Sequence, residues 1–437
     1  MTARARPLAA LLAVGGLTLA ACTSVAAPPP PTPPPTVPPQ SSPSPVPTGA
    51  GSSAETMARL CIAPKPSEGK RKRAGDTPSD IAEIEDQVQT VRELRFSRPV
   101  AVNPIDDATM DRKLSKAFDQ TYPTRFYARR TQAWSTIGVI PPGADIREAL
   151  LAFQTGQVVG FYNPADGELV YLSGGDVLGS LTERVILAHE LTHAIDDQHF
   201  DLTRIDDIVA TCEDEAFQSA LGAVEGSAQH FAFAVAARFP GGTIDPGETG
   251  GLPAGVPPFI TQLQFWPYTA GQAFIDALAQ RGGVKAVNGA IETFPLSTEQ
   301  VMHSERYPND VPQPVDVPDL SAALGDGWRD LDVMTVGEAW LQTMLRLRLD
   351  NGTADDAAAG WDGGTYRAWT DGDAVAVAMT TVWDSGADAR AFADAARTWI
   401  EDGNTPGFVI QEESGSVTVG FATDEATLGD LENALDG

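Results

Sequence analysis

The stretch His189-Glu190-Leu191-Thr192-His193 constrains this chain more than any other. Histidines four residues apart on a helix stand about one turn from each other on one face, so both imidazoles reach a common point while Glu190 flanks them. The neighbouring residues predict that helix from Leu181 to Gln198. Ser180 with Glu183 three residues later forms a capping box, and Leu181, Val185, Ala188, Thr192 and Ile195 recur at helical spacing to give a face that packs inward. The chain has five histidines in all, and two of them fall in register here.

A length of 437 residues allows two or three domains, and 42% hydrophobic content is that of an ordinary globular protein with an ample core. The first 21 residues depart from that pattern. Arg4 and Arg6 precede an apolar run from Leu8 to Leu19, too short for a comfortable membrane span and typical of an export signal. The run closes on Leu19-Ala20-Ala21-Cys22, which resembles the lipobox of bacterial lipoproteins. That resemblance implies cleavage before Cys22, lipidation of its thiol and an extracytoplasmic protein anchored in the membrane. Residues 22–56 are rich in Pro, Ser, Thr and Gly. Such a stretch buries no core and tends toward extended polyproline conformation, which predicts a semi-rigid spacer, with the globular body starting near Pro78. Cys61 and Cys212 remain, either as two separate thiols or as a bridge tying the N-terminal segment to the region after the histidine helix.

Charge sets a second bound. A formal net charge of -29 repels phosphate backbones and anionic lipid heads, which argues against nucleic acid as a partner. Against that background Lys70-Arg71-Lys72-Arg73 reads as a solvated loop or a handle near the anchor.

Hydrophobic periodicity predicts helices from Asp80 to Phe96 and from Ala108 to Gln120. Gln157 to Tyr162 and Glu168 to Leu172 are β-rich runs joined by Asn163-Pro164-Ala165-Asp166-Gly167, a turn sequence, so a hairpin leads into the histidine helix. Farther on, Pro240 to Pro258 reads as a loop, Trp266-Pro267-Tyr268 opens a helix ended by Gly282-Gly283, and Val336 to Leu349 forms another helix. The last segment reads as a small α/β unit: strands at Ala374 to Trp383, Gly407 to Gln411 and Ser416 to Phe421, with helices at Ala387 to Ile400 and Ala426 to Leu435. Gly363-Gly364 reads as a turn.

The His-Glu-x-x-His spacing is that of zinc metallopeptidases. Catalytic zinc takes a third protein ligand and keeps an open position for water. The next helix, expected from Cys212 to Phe239, offers Glu225, a lone carboxylate among small and apolar neighbours, where a charge is costly unless paired or bound to a metal. Glu213, Asp214 and Glu215 sit near the helix start, where the dipole favours acids, and they stay open as alternatives together with His199 and His230.

Taken together, these residues resemble the gluzincin class of zinc metallopeptidases, whose third ligand is a glutamate on a downstream helix. A closer resemblance is to bacterial envelope proteins with a His-Glu helix, an Asp-Gln-His segment (Asp197 to His199), a Glu-Gly-x-Ala block at Glu225 and a Ser-Thr-Glu-Gln segment (Ser297 to Gln300) followed by a His, here His303. It spans roughly Gln157 to Tyr307. Thermolysin-like members place an acid four residues after the glutamate ligand, whereas this chain has Gln229, an acceptor with less pull on a ligand histidine.

The resemblance implies zinc held by His189, His193 and Glu225, with Glu190 as the general base that takes a proton from water and passes it to the leaving amine. It also implies a Tyr or His that stabilises the oxyanion. His303 is the first candidate, ahead of Tyr307, His230 and Tyr268. In this class a strand ahead of the active-site helix borders the cleft and pairs with extended substrate, a role open to the hairpin.

The expectation is an α+β protein: a zincin-like metallopeptidase domain over residues 57–310, then a helix and a small α/β unit over 311–437. Its substrate would be peptide or protein in the envelope. A non-catalytic surface lipoprotein that keeps the zincin scaffold as a binding or structural module is the alternative, and retention of Glu190 beside both histidines favours the enzyme.

Overall fold

Leu181–Phe200 is helical and capped as its sequence implies, with Ser180 Oγ accepting from the Glu183 N–H at 3.2 Å. It is buried on almost every side from Thr182 to Asp197, so it is a central element of the fold and not a surface helix with one inward stripe. The computed structural model that shows this describes residues 51–61, 70–157, 160–172, 180–241, 255–403, 405–412 and 415–436. The signal peptide expected over residues 1–21, the lipidation expected at Cys22, the spacer up to residue 50 and Val158-Val159 of the expected hairpin lie outside them. No helix among the described residues is long and apolar enough to cross a membrane.

The architecture is α+β, with helices arranged about two small sheets. In the first, β1 (Ala101–Ile105) runs parallel to β3 (Glu168–Leu172), and β3 pairs antiparallel with β2 (Gly160–Asn163), giving the order β1-β3-β2. The expected hairpin is present but starts later, because Gln157 ends the helix Ile146–Gln157. This sheet and the helix Ser79–Arg92 pack on the histidine helix through Ile81, Ile84, Val88, Leu169, Leu187 and Leu191.

Two long helices cover the other side. Asp214–Arg238 carries Glu225, and Pro258–Glu292 runs beside it. The second of these begins well before Trp266-Pro267-Tyr268, so Pro267 lies inside it instead of at its start. Proline has no N–H to donate to the carbonyl four residues back, which is that of Leu263. Gln218 Nε2, from Asp214–Arg238, donates to that carbonyl at 3.1 Å and makes good the missing bond. Gly282 and Gly283 leave helical geometry, so the first helical stretch ends there as the sequence implies, and a second continues past the kink to Glu292.

The second sheet is antiparallel, ordered β4-β5-β6-β8-β7, with β4 at Arg329–Thr335, β5 at Trp361–Thr370, β6 at Val375–Trp383, β7 at Gly407–Gln411 and β8 at Ser416–Ala422. Gly363-Gly364 is not a turn. Both residues lie in β5, where the absence of a Cβ lets the Gln313 and Val336 carbonyls approach the strand.

The expected boundary at residue 310 is crossed by the core. Trp134, Ile137 and Phe259 share one hydrophobic cluster with Leu341, Val377, Phe392 and Phe421. The expected spacer also ends sooner than residue 56. Ser53–Leu60 is a helix whose Ser52 side chain accepts from the Glu55 N–H, and it buries Thr56 and Met57. Its Ser53 N–H donates to Asp316 at 2.6 Å and Arg59 pairs with Asp330 at 2.5 Å, so this helix is part of the globular body, which does not begin near Pro78. The Cys61–Cys212 disulfide, with Cα atoms 5.7 Å apart, fastens this helix to the turn before Asp214–Arg238.

Candidate metal centre

Three side chains from two helices converge on one point. His189 Nε2 and His193 Nε2 lie 3.0 Å apart, and Glu225 Oε2 is 3.1 Å from the first and 3.4 Å from the second. Among the described residues this is the group of three His, Cys, Asp or Glu side chains spaced to hold a metal ion. Ligand atoms about 2.05 Å from a tetrahedral zinc stand about 3.3 Å from one another, so the three edges suit such an ion. The donor set, two imidazoles and one carboxylate, is also of the right kind.

The two helices are brought together by small residues. A Cβ on Gly226 would stand inside van der Waals contact of the Gly271 carbonyl, and one on Gly271 would overlap the Gly222 carbonyl. Backbone meets backbone there. The close approach sets Glu225, next to Gly226, beside Tyr268, one turn before Gly271. On the same face of the helix as the two histidines, Asp196 accepts from Arg92 Nε at 2.7 Å and from Ser227 Oγ at 2.9 Å, pinning the histidine helix to the glutamate helix two residues past Glu225. Arg92 is fully buried and lies over the Phe231 ring at 4.8 Å.

Glu190 points to the sheet. Its Oε2 accepts from the Tyr162 backbone N–H of β2 at 2.7 Å, while the Tyr162 hydroxyl donates to Asp197 Oδ2 at 2.7 Å. Glu190 and Asp197 are two helical turns apart on one face, so a single tyrosine holds β2 along the helix. Gln198 completes the attachment by accepting from the Ser97 N–H at 2.7 Å and donating to the Arg98 carbonyl at 3.0 Å. The Asp197 to His199 segment is therefore a clamp. Arg71 also reaches Asp197, at 3.2 Å, so that residue of the basic run forms a contact instead of a solvated loop.

Burial raises the Glu190 carboxyl above its usual range, opposed by His189 and His193. Burial also works against an ionised Glu225, yet the two imidazoles outweigh it and hold that carboxyl well below the usual range. His193 shows the reverse, pulled down by burial and pushed up to about 9 by Glu225.

The other sequence candidates are dispersed. His199 bonds to the Arg95 carbonyl at 2.8 Å and His230 to Asp276 at 2.5 Å. Asp214 pairs with Arg130 at 2.9 Å, Glu215 accepts from the Thr298 hydroxyl at 2.8 Å, and Glu213 is not in the cluster. His303, first candidate for the oxyanion, has its Nε2 on Glu338 Oε1 at 2.9 Å, and Tyr307 donates to the Thr293 carbonyl at 2.7 Å. Tyr268 is the one brought to the cluster. Its ring lies near parallel to that of His189, with centroids 6.0 Å apart, and its hydroxyl donates to Glu225. Burial, with Glu225 and Glu190 nearby, raises the phenol well above its usual range and keeps it protonated. Among the described residues His189 Nδ1 has no hydrogen-bond partner, and the Tyr268 ring lies beside this imidazole.

Sequence reasoning did not find the Tyr162 N–H, because a backbone donor leaves no residue signature. Asp196 left one: an acid seven residues after His189 in an apolar helix has to find a partner.

Comparison with known proteins adds a match to a domain of unknown function (DUF8575) over residues 327–430, which covers β4 to β8 and not the histidine helix. No curated protein matches. Among solved structures, a candidate hydrolase with a novel fold from Chloroflexus aurantiacus is similar at a TM-score of 0.34 and 16% identity, over 58% of this chain and 94% of that one.

Proposed function

We propose that this chain is a zinc metallopeptidase of gluzincin type, extracytoplasmic and anchored through Cys22, that hydrolyses peptide bonds in peptides or proteins of the bacterial envelope. The observation that supports it most is the convergence of His189, His193 and Glu225 with the Glu190 carboxylate alongside. When bound, zinc supplies Lewis acidity toward water and toward the scissile carbonyl, and these three side chains are its holders.

Glu190 is suited to the base role. One of its oxygens is engaged by the Tyr162 N–H, which holds the carboxylate beside the two histidines, where it takes a proton from water and delivers it to the leaving amine. Tyr268 takes the oxyanion role in place of His303, as a protonated phenol within reach of the cluster. β2 is an edge strand of its sheet, the kind of strand that pairs with an extended substrate, and its Tyr162 N–H is taken up by Glu190.

The test is Glu190→Gln on an unfolded protein substrate. Retained zinc with hydrolysis reduced about 10²–10⁴-fold is expected. Undiminished hydrolysis would remove Glu190 as the base.

A further inference from the structure

The basic run Lys70-Arg71-Lys72-Arg73 takes no part in the metal centre. All four residues are exposed, and residues 70–78 form neither helix nor strand before the helix Ser79–Arg92 begins. A chain with a formal net charge of -29 therefore displays four consecutive cations on an irregular length of backbone. Two contacts fasten the middle of the run. Arg71 Nη1 lies 3.2 Å from Asp197 Oδ2, and the Lys72 N–H donates to the Asp166 carbonyl at 2.7 Å. Beyond them, among the described residues, no hydrogen bond or ion pair engages the Arg73 side chain, and a Cβ on Gly75 would meet no heavy atom within 4 Å.

Exposed, irregular segments with small and polar residues are where folded chains are nicked. Endopeptidases that cut after Lys or Arg hold an acid in the pocket that receives that side chain. Arg73 suits such a pocket, because its guanidinium enters without breaking a contact, and Ala74 and Gly75 after it offer little bulk. The fold already carries what would keep the two sides of a cut together. Cys61, before the run, is bonded to Cys212, after it. The Ser53 N–H on Asp316 and Arg367 Nη1 on the Gly51 carbonyl seat the N-terminal side on the body. Arg71 and Lys72 would stay with that side too, so both contacts of the run survive. Asp197 also keeps the Tyr162 hydroxyl and Arg98.

We propose that the bond between Arg73 and Ala74 is a processing site for an endopeptidase that cuts after basic residues, and that the product is a two-chain protein joined through Cys61 and Cys212. Water adds across the peptide bond, leaving a carboxylate on Arg73 and an ammonium group on Ala74. The covalent link between the two sides is then a disulfide alone, which a thiol reductant opens. The proposal is independent of whether the histidine and glutamate cluster holds zinc.

Two measurements on the full chain test this. A trace of trypsin should cut the wild type first after Arg73, giving a large fragment whose N-terminal sequence begins Ala74-Gly75-Asp76. Denaturing electrophoresis of that product should show one band without reductant and two with it. With Cys61→Ser and Cys212→Ser combined, the two pieces should part without reductant, and Arg73→Gln should lose the fragment that begins at Ala74. The protein isolated from the organism that makes it should, after reduction, yield the same fragment beginning at Ala74. A first tryptic cut at any other bond, resistance of the run to trypsin, or wild-type pieces that separate without reductant overturns the proposal. So does a chain isolated uncut from its own organism.

Discussion

Glu225 and Glu215 stand on one helix, are both enclosed by protein, and end in opposite states. The imidazoles at 3.1 and 3.4 Å hold Glu225 ionised. Around Glu215 there is no cation to do the same: burial pushes it up to about 7, the Glu338 and Asp214 carboxylates add to that, and only the Thr298 N–H and hydroxyl oppose it. The consequence for stability has a definite sign. A carboxyl whose folded pKa lies above its usual 4.5 stabilises the fold fully below that value and loses the contribution as pH rises through about 7. Glu215→Gln removes this titration. Wild type is therefore expected to lose on the order of 2–3 kcal/mol more than the variant between pH 4.5 and 8 in denaturant unfolding. Parallel stability curves would show that Glu215 ionises freely in the fold. Residue-level reading succeeded best where chemistry restricts the choices. A lone acid among small and apolar residues pointed to Glu225, whereas nothing near His303 in the sequence showed that its ring bonds to Glu338, thirty-five residues farther on.

Helices and strands were readable to the extent that their causes are local. The histidine helix, the glutamate helix and the strands β6 to β8 lie close to where periodicity and caps place them. β5 was not foreseen, because a strand buried on both faces shows no alternation and its glycine pair imitates a turn. Nor was the early start of Pro258–Glu292, since Pro267 reads as a beginning until Gln218 on another helix supplies the missing donor. The contact of Gly222 and Gly226 with Gly271 belongs to this scale and sets the relation of Glu225 to Tyr268. A helical Gly→Ala change with room to spare stabilises by about 1 kcal/mol. At Gly226 the added methyl meets a carbonyl, so Gly226→Ala is expected to reverse that sign and cost about 1–3 kcal/mol. A higher thermal midpoint in the variant would mean that the helices are not in backbone contact.

At the scale of the whole molecule, the N-terminal segment and the C-terminal sheet are parts of one structure. Ser53–Leu60 packs on β4, Arg367 Nη1 donates to the Gly51 carbonyl at 2.6 Å, and the disulfide joins Cys61 to Cys212 across a separation of 151 residues. None of these long-range contacts is visible to periodicity, and only the even cysteine pair hinted at them. A cross-link over so long a loop restricts the unfolded chain, so replacing both cysteines with serine is expected to cost about 2–5 kcal/mol in denaturant unfolding. An unchanged midpoint would mean that the bridge adds nothing to the fold. The same body carries the cluster on helices locked by Arg92, Asp196 and Ser227, and the cluster's occupant decides the proposed function. The most direct measurement is the metal content of the purified protein, wild type beside His193→Ala. About one zinc per wild-type chain, lost in the variant, is the predicted result. Wild-type protein that takes up no zinc after reconstitution, or a variant that keeps it, would contradict the account.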